Sequence, residues 1–228
     1  MKFESTRVAL VDRVGENLVV RGPLPLAGDD SHFALQEISE VLKIDLSSYF
    51  FLTISFIDNT SERFAFEREF KNYGADPGIY PESYWPPYKN KDWDSTKMLG
   101  SGIKRPEGGI HPGALNWWPI EGFITGMNPA VYLNSPGWDF SGVIDRVIGM
   151  SQQDGPMTLV YFHCFLGADR TGAAHMGYLM KARSMTYKDA LATATDATSA
   201  GAPSQNYQNL AYAYSKMLSS ATTKKRGR

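Results

Sequence analysis

The chain has 228 residues, 43% hydrophobic and 21% charged, with a net charge of −1 at pH 7 and a mean hydropathy of −0.31. That is enough apolar material for one sizeable core, and the near-neutral balance excludes the strong positive field that recruits nucleic acid or an anionic membrane surface. No stretch approaches the roughly 18 apolar residues of a membrane span, and the single cysteine, Cys164, excludes an internal disulfide framework and any multi-thiolate metal site.

Leu18-Val19-Val20, ended by Arg21-Gly22-Pro23, reads as a short buried strand running into a turn. Asp29 or Asp30 then caps a helix carrying Phe33, Leu35, Ile38, Val41 and Leu42 at a 3.6-residue spacing, and Tyr49 to Ile57 is aromatic and β-branched enough for a second strand. Ser61 with Arg63 to Lys71 has the charge density of a helix lying on a surface, ending near Gly74. Residues 76–113 hold six of the 13 prolines and the aromatic series Tyr80, Tyr84, Trp85, Tyr88 and Trp93 without sustained periodicity, so they read as a long inserted loop.

Ala114 to Phe123 suggests a strand breaking at Pro119. Phe140, Val143, Ile144, Val147 and Ile148 then share one helix face, with Asp139 placed to cap it. Met157 to Phe162 is a continuous apolar run, as expected of a central strand covered on both faces. Helices over about Thr171–Ser184, Tyr187–Thr198 and Gln205–Ser219 follow, and a basic tail at 224–228 reads as solvated. This order predicts a three-layer α/β/α fold with a largely parallel central sheet, built as a single domain over residues 1–228. Met1 to Val14 lacks the charged-then-apolar order of a secretory signal, which predicts a cytoplasmic protein without integral membrane association, export by another route being left open.

His163-Cys164-Phe165-Leu166-Gly167-Ala168-Asp169-Arg170-Thr171-Gly172 stands between the central strand and the next helix. A loop joining a strand's carboxyl end to a helix amino terminus points successive N–H groups into one concavity, where the helix dipole favours an anion. A cysteine at its start and a guanidinium six positions later face the same bound oxyanion, and arginine grips two phosphate oxygens at once. The helix terminus and the arginine also favour thiolate over thiol. Gly167 lets the loop bend without a side chain filling the hollow, Thr171 is placed to donate its hydroxyl to the sulfur as that becomes a leaving group, and His163 supports the loop from behind. Cys164, Arg170 and Thr171 are therefore candidate catalytic residues, and Phe165, Leu166, Gly167, Ala168, Asp169 and Arg170 form the candidate substrate-binding loop. The four histidines, His32, His111, His163 and His175, lack metal-ligand spacing, so no metal or cofactor is expected.

In this segment the chain resembles the cysteine-dependent tyrosine and dual-specificity protein phosphatases, whose signature H-C-x-x-G-x-x-R-S/T is met at every fixed position from His163 to Thr171. Arg21-Gly22 resembles the opening of the compact dual-specificity members, and the Gly167-Ala168-Asp169-Arg170-Thr171 form is similar to that of bacterial members and of lipid-directed relatives such as the myotubularins. The resemblance implies metal-free hydrolysis of phosphate monoesters through a phosphocysteine. A protein or peptide phosphorylated on tyrosine, and with it serine and threonine, is the expected substrate.

It also implies an acidic loop residue about thirty positions before the cysteine. Asn134 stands near that distance and has no carboxyl proton to give. Asp139, in the Pro136-Gly137-Trp138-Asp139 stretch, and Asp169, inside the phosphate loop, are the two candidates. Each has an equally good structural role, the first as a helix cap and the second as an acceptor for loop amides or a partner of Arg170. Two other functions stay open: a phosphatase for phosphoinositides or small phosphate esters, disfavoured by the uncharged Phe165, Leu166 and Ala168, and a phosphate-binding module without an efficient acid.

Overall fold

The computed structural model describes residues 2–28, 32–58, 61–75, 97–100, 102–105, 109–120, 129–134 and 139–226. Asp29, Asp30, the aromatic series from Tyr80 to Trp93 and the 136–138 stretch lie outside them.

The chain opens with β1 (Ala9–Val14) and β2 (Asn17–Gly22), a hairpin turned at Gly15 and Glu16, where Gly15 has a φ of 61°. The sequence signals found β2 alone, because Asp12 and Arg13 interrupt the apolar pattern of β1. Next come β3 (Leu26–Ala27), β4 (His32–Phe33) and α1 (Leu35–Leu42). The first helix thus begins later than its apolar spacing suggests: Phe33 is buried from the β3–β4 ribbon, and Ala34 at the helix start provides no side-chain cap. Then follow β5 (Phe50–Ser55) and α2 (Arg63–Asn72). The latter does not simply lie on a surface, since Phe66, Glu69 and Phe70 are buried and Phe64 alone of its phenylalanines is exposed.

Within 97–113, expected to be loop, the chain forms three two-residue strands, β6 (Met98–Leu99), β7 (Ile103–Lys104) and β8 (Ile110–His111). Elements so short leave no periodic trace. They are followed by β9 (Gly113–Trp117), α3 (Phe140–Ser151), β10 (Thr158–His163), α4 (Asp169–Ala182), α5 (Tyr187–Asp196) and α6 (Gln205–Arg226), the last carrying most of the expected basic tail.

The main sheet has the order β1-β2-β10-β5-β9-β6; β2, β10, β5 and β9 run parallel, and β1 and β6 are antiparallel edges. Alternation along each strand divides the core between two faces. Leu18, Val20, Phe51, Leu159 and Tyr161 pack with residues of α1 and α2, whereas Val19, Leu52, Ile54, Val160, Phe162 and Cys164 pack with residues of α3 to α6. The result is the expected three-layer α/β/α arrangement around a largely parallel sheet. Leu159, Val160, Tyr161 and Phe162 have no exposed surface. At roughly 1.5–3 kcal/mol for each fully buried large side chain, they anchor the strand that delivers the cysteine. Among the described residues no helix is long and apolar enough to cross a membrane.

Candidate active site

β10 ends at His163, and six residues later α4 begins, so the intervening loop lies at the carboxyl edge of the sheet, where open α/β folds bind ligands. Its carbonyls are all committed elsewhere. Phe165 O accepts from the Leu24 N–H at 3.1 Å, Leu166 O from Arg7 Nη1 at 2.8 Å, Gly167 O from Arg21 Nη2 at 2.6 Å and Ala168 O from the Gly172 N–H at 2.7 Å. No described residue accepts from the N–H groups of Phe165 to Arg170. Outward-held carbonyls and unclaimed amides at the start of a 14-residue helix make an anion cradle.

Gly167 is required twice over. Its φ is +70°, and a Cβ there would stand 2.6 Å from the backbone of Gly22 and Pro23.

Cys164 is buried, and its N–H donates to Thr171 Oγ1 at 2.8 Å. Having accepted that bond, the Thr171 hydroxyl keeps its own proton to give. His163 sits on the opposite face of the strand, its Nε2 donating to Glu69 Oε1 at 2.8 Å and its Nδ1 facing the Cys164 carbonyl at 3.2 Å. Glu69 also accepts from Ser55 Oγ at 2.6 Å, so the carboxylate and the imidazole brace the turn from α2.

Arg170 is almost wholly buried. Nη1 donates to Glu62 Oε2 at 2.7 Å, and Nη2 closes the pair on Glu62 Oε1. Nη1 also meets the carbonyls of Phe56 at 2.8 Å and Ile120 at 3.1 Å. Burial pulls the guanidinium pKa down, but the nearby Cys164 and Glu62 outweigh it and hold the value above the ordinary one. Glu62 takes the end-on edge of the fork. No described residue accepts from Nε, so the Nε–Nη2 edge is left for two oxygens of a bound phosphate.

No protein-family model matches the sequence, and no curated protein sequence matches it either. Solved structures do match. PTPMT1 superposes with a TM-score of 0.50 at 12% identity, over 95% of this chain and 99% of that one. Kinase associated phosphatase with its catalytic-site cysteine substituted by serine gives 0.49 at 11% identity (96% and 97%), and human DUSP28 gives 0.45 at 10% (96% and 99%).

The fold is that of the dual-specificity phosphatases.

On this dual-specificity phosphatase fold Cys164 opens the loop after β10, Arg170 and Thr171 stand on the first turn of α4 at the loop's other end, and His163 lies behind. Among the described residues no cluster of His, Cys, Asp and Glu is arranged to hold a metal. Asp139 occupies the structural role weighed for it, whereas the carboxylate of Asp169 is bonded neither to amides of its own loop nor to Arg170. Asp139 Oδ1 accepts from the Gly142 N–H at 2.7 Å as the cap of α3, and Asp169 Oδ1 accepts from the Ser204 N–H at 2.6 Å, tying the start of α4 to the start of α6. Asn134 lies apart, its amide donating to the Met217 sulfur. Leu166 is half exposed at the rim, whereas Phe165 packs inward.

Three participants escaped sequence reasoning. Glu62 lies 108 residues from Arg170, and no local pattern links them. Glu69 was detectable, because Phe66, Glu69, Phe70 and Tyr73 share one face at i, i+3, i+4 and i+7 and a carboxylate inside an apolar stripe needs a partner. Tyr207, on the first turn of α6, is buried with its phenol pKa raised, chiefly by burial, within reach of the charges of Arg170, Cys164, Asp169 and Glu62.

Proposed function

We propose that this protein hydrolyses phosphate monoesters through a phosphocysteine at Cys164, and that its substrates are proteins or peptides phosphorylated on tyrosine, serine or threonine. The observation that carries this reading is the segment from Cys164 to Arg170, whose carbonyls from Phe165 to Ala168 are bonded away while no described residue accepts from its N–H groups from Phe165 to Arg170 or from Arg170 Nε.

In the first half-reaction the Cys164 thiolate attacks phosphorus and a P–S bond forms. The bond from phosphorus to the ester oxygen breaks, and that oxygen takes a proton from an acid. In the second, water attacks phosphorus and gives a proton to the carboxylate that the acid left, the P–S bond breaks with its electrons returning to sulfur, and inorganic phosphate leaves. Amides and the guanidinium stabilise the equatorial oxygens throughout, while the Thr171 hydroxyl supports the departing sulfur. Asp139 and Asp169 are the proposed acids.

The uncharged Phe165, Leu166 and Ala168 favour a protein substrate over a highly charged inositol headgroup, which a cationic loop would suit better. Mass spectrometry of enzyme denatured during turnover of an aryl phosphate should find a phosphoryl group on the Cys164 peptide, and a panel of phosphopeptides and phosphoinositides should show higher kcat/KM for the peptides. An unmodified Cys164 peptide during steady turnover overturns the mechanism, and faster turnover of the lipids overturns the substrate class.

A further inference from the structure

Arg21, at the end of β2, has no exposed surface, and among the described residues it pairs with no carboxylate. Its guanidinium donates to Gly167 O at 2.6 Å and to Ala194 O at 3.2 Å, and meets His175 Nδ1 at 3.3 Å, while Nε has no partner. A buried charge without a counter-charge is among the costliest things a fold can hold, commonly several kcal/mol per ion. A neutral residue of similar length would fill the same space between α4 and α5, so packing alone does not explain a cation here.

The groups that face it say what it answers to. From β10 they are Tyr161 and, at the strand's end, Cys164, and both hold the guanidinium pKa up against the burial that lowers it to about 10. From α4 it is His175, whose own pKa burial and Arg21 together depress to about 3, so this neighbour is a neutral acceptor and offers no negative charge. The other charged or titratable groups around Cys164 are already engaged: Arg170 with Glu62, His163 with Glu69, and Tyr207 beside Arg170. The anion missing from the Arg21 environment is the one that forms or binds in the phosphate cradle.

We propose that Arg21 is a positioning residue of that cradle: its Nη2 keeps the Gly167 carbonyl turned away from the hollow, and its charge, held beneath the loop, is balanced by the Cys164 thiolate and by bound phosphate. This rests on the phosphatase reading of the site and adds to it a second guanidinium, on β2, outside the signature segment.

The test compares wild type with Arg21→Gln, which keeps an amide donor without the charge, and Arg21→Lys, which keeps the charge. Iodoacetate alkylation of Cys164 is followed against pH, with and without inorganic phosphate. Wild type checks the site itself: if phosphate fails to slow its alkylation, the cradle reading falls whatever Arg21 does. With protection established, Arg21→Gln should alkylate about tenfold more slowly at pH 6, its profile displaced about one unit to higher pH, and should need about tenfold more phosphate for protection. Arg21→Lys should stay within about threefold of wild type on both measures. A folded Arg21→Gln that matches wild type in profile and protection overturns the proposal. Should Gln fail to fold, Lys decides alone, and a folded Lys variant displaced by a full unit overturns it equally, since the charge would then have been kept without effect.

Discussion

Glu62 meets Arg170 end-on, its two carboxylate oxygens on the two terminal nitrogens, across 108 residues of sequence. The pair fixes the terminal edge of the guanidinium, leaves Nε without an acceptor among the described residues, and neutralises a charge that would otherwise be buried alone.

Glu62→Gln keeps the shape and removes the charge. A misplaced guanidinium costs transition-state contacts, so kcat/KM should fall about a hundredfold with the Cys164 nucleophile still present and alkylatable. Stopped-flow kinetics on an aryl phosphate, with iodoacetate labelling as the control, measures this. Activity within threefold of wild type would show that Phe56 O and Ile120 O hold Arg170 unaided.

Cys164→Ser should leave less than about one per cent of turnover while still binding phosphate or vanadate, since the amides and Arg170 remain. Arg170→Lys should lose about a hundredfold or more in kcat/KM, because a point charge cannot hold two oxygens in one plane. Calorimetric titration of vanadate into both variants separates the roles: the serine protein should bind and the lysine protein should not.

The proton donor is decided by leaving-group dependence. A general acid contributes about a hundredfold or more, most with poor leaving groups, so Asp139→Asn should slow an alkyl phosphate far more than an activated aryl phosphate, and Asp169→Asn should be milder. Both carboxylates already accept a backbone N–H, which makes a third arm informative. Glu121 follows Ile120, whose carbonyl meets Arg170, and although it lies outside the described residues, Glu121→Gln belongs in the same comparison. Leaving-group sensitivity confined to Asp169→Asn would move the role into the loop. Insensitivity of all three would favour a module that binds phosphate without efficient turnover.

His175 sets an acid limit on stability. Its folded pKa of about 3 lies below the ordinary 6.5, so the unfolded chain takes up the proton first as pH falls. Its contribution is therefore complete above about pH 6.5 and drains away between that value and about 3, on the order of a few kcal/mol in all. Urea unfolding at pH 7.5 and 5.0 should show wild type losing stability over this interval and His175→Asn, which can still accept from Arg21, losing less. Equal slopes would assign the acid sensitivity to other groups.

What was legible in the sequence follows from the range of the interactions. β10, the Asp139-capped α3 and the cradle from Cys164 to Thr171 are specified by neighbours within a few residues, and the structure has them where the pattern puts them. β6 to β8 are too short to carry a period, and the hairpin strand β1 has its alternation broken by Asp12 and Arg13. The clamps, Glu62 on Arg170, Glu69 on His163 and Arg21 on Gly167 O, join β2, the segment after β5, and α2 to a loop more than ninety residues further on. Only the fold brings them together.

Gly22, Tyr161 and Gly167 interlock. A Cβ on Gly22 would strike the Tyr161 hydroxyl, which donates to Pro23 O, and a Cβ on Gly167 would strike the backbone of Gly22 and Pro23. For anyone redesigning this protein, the stack divides the loop into parts with different freedoms. Gly22 and Gly167, which form its floor with Tyr161, have no room for a Cβ and have to be inherited together. Leu166, half exposed above it, is open to replacement by cationic or aromatic residues, so a library aimed at new phosphate esters should begin there and leave the glycines untouched.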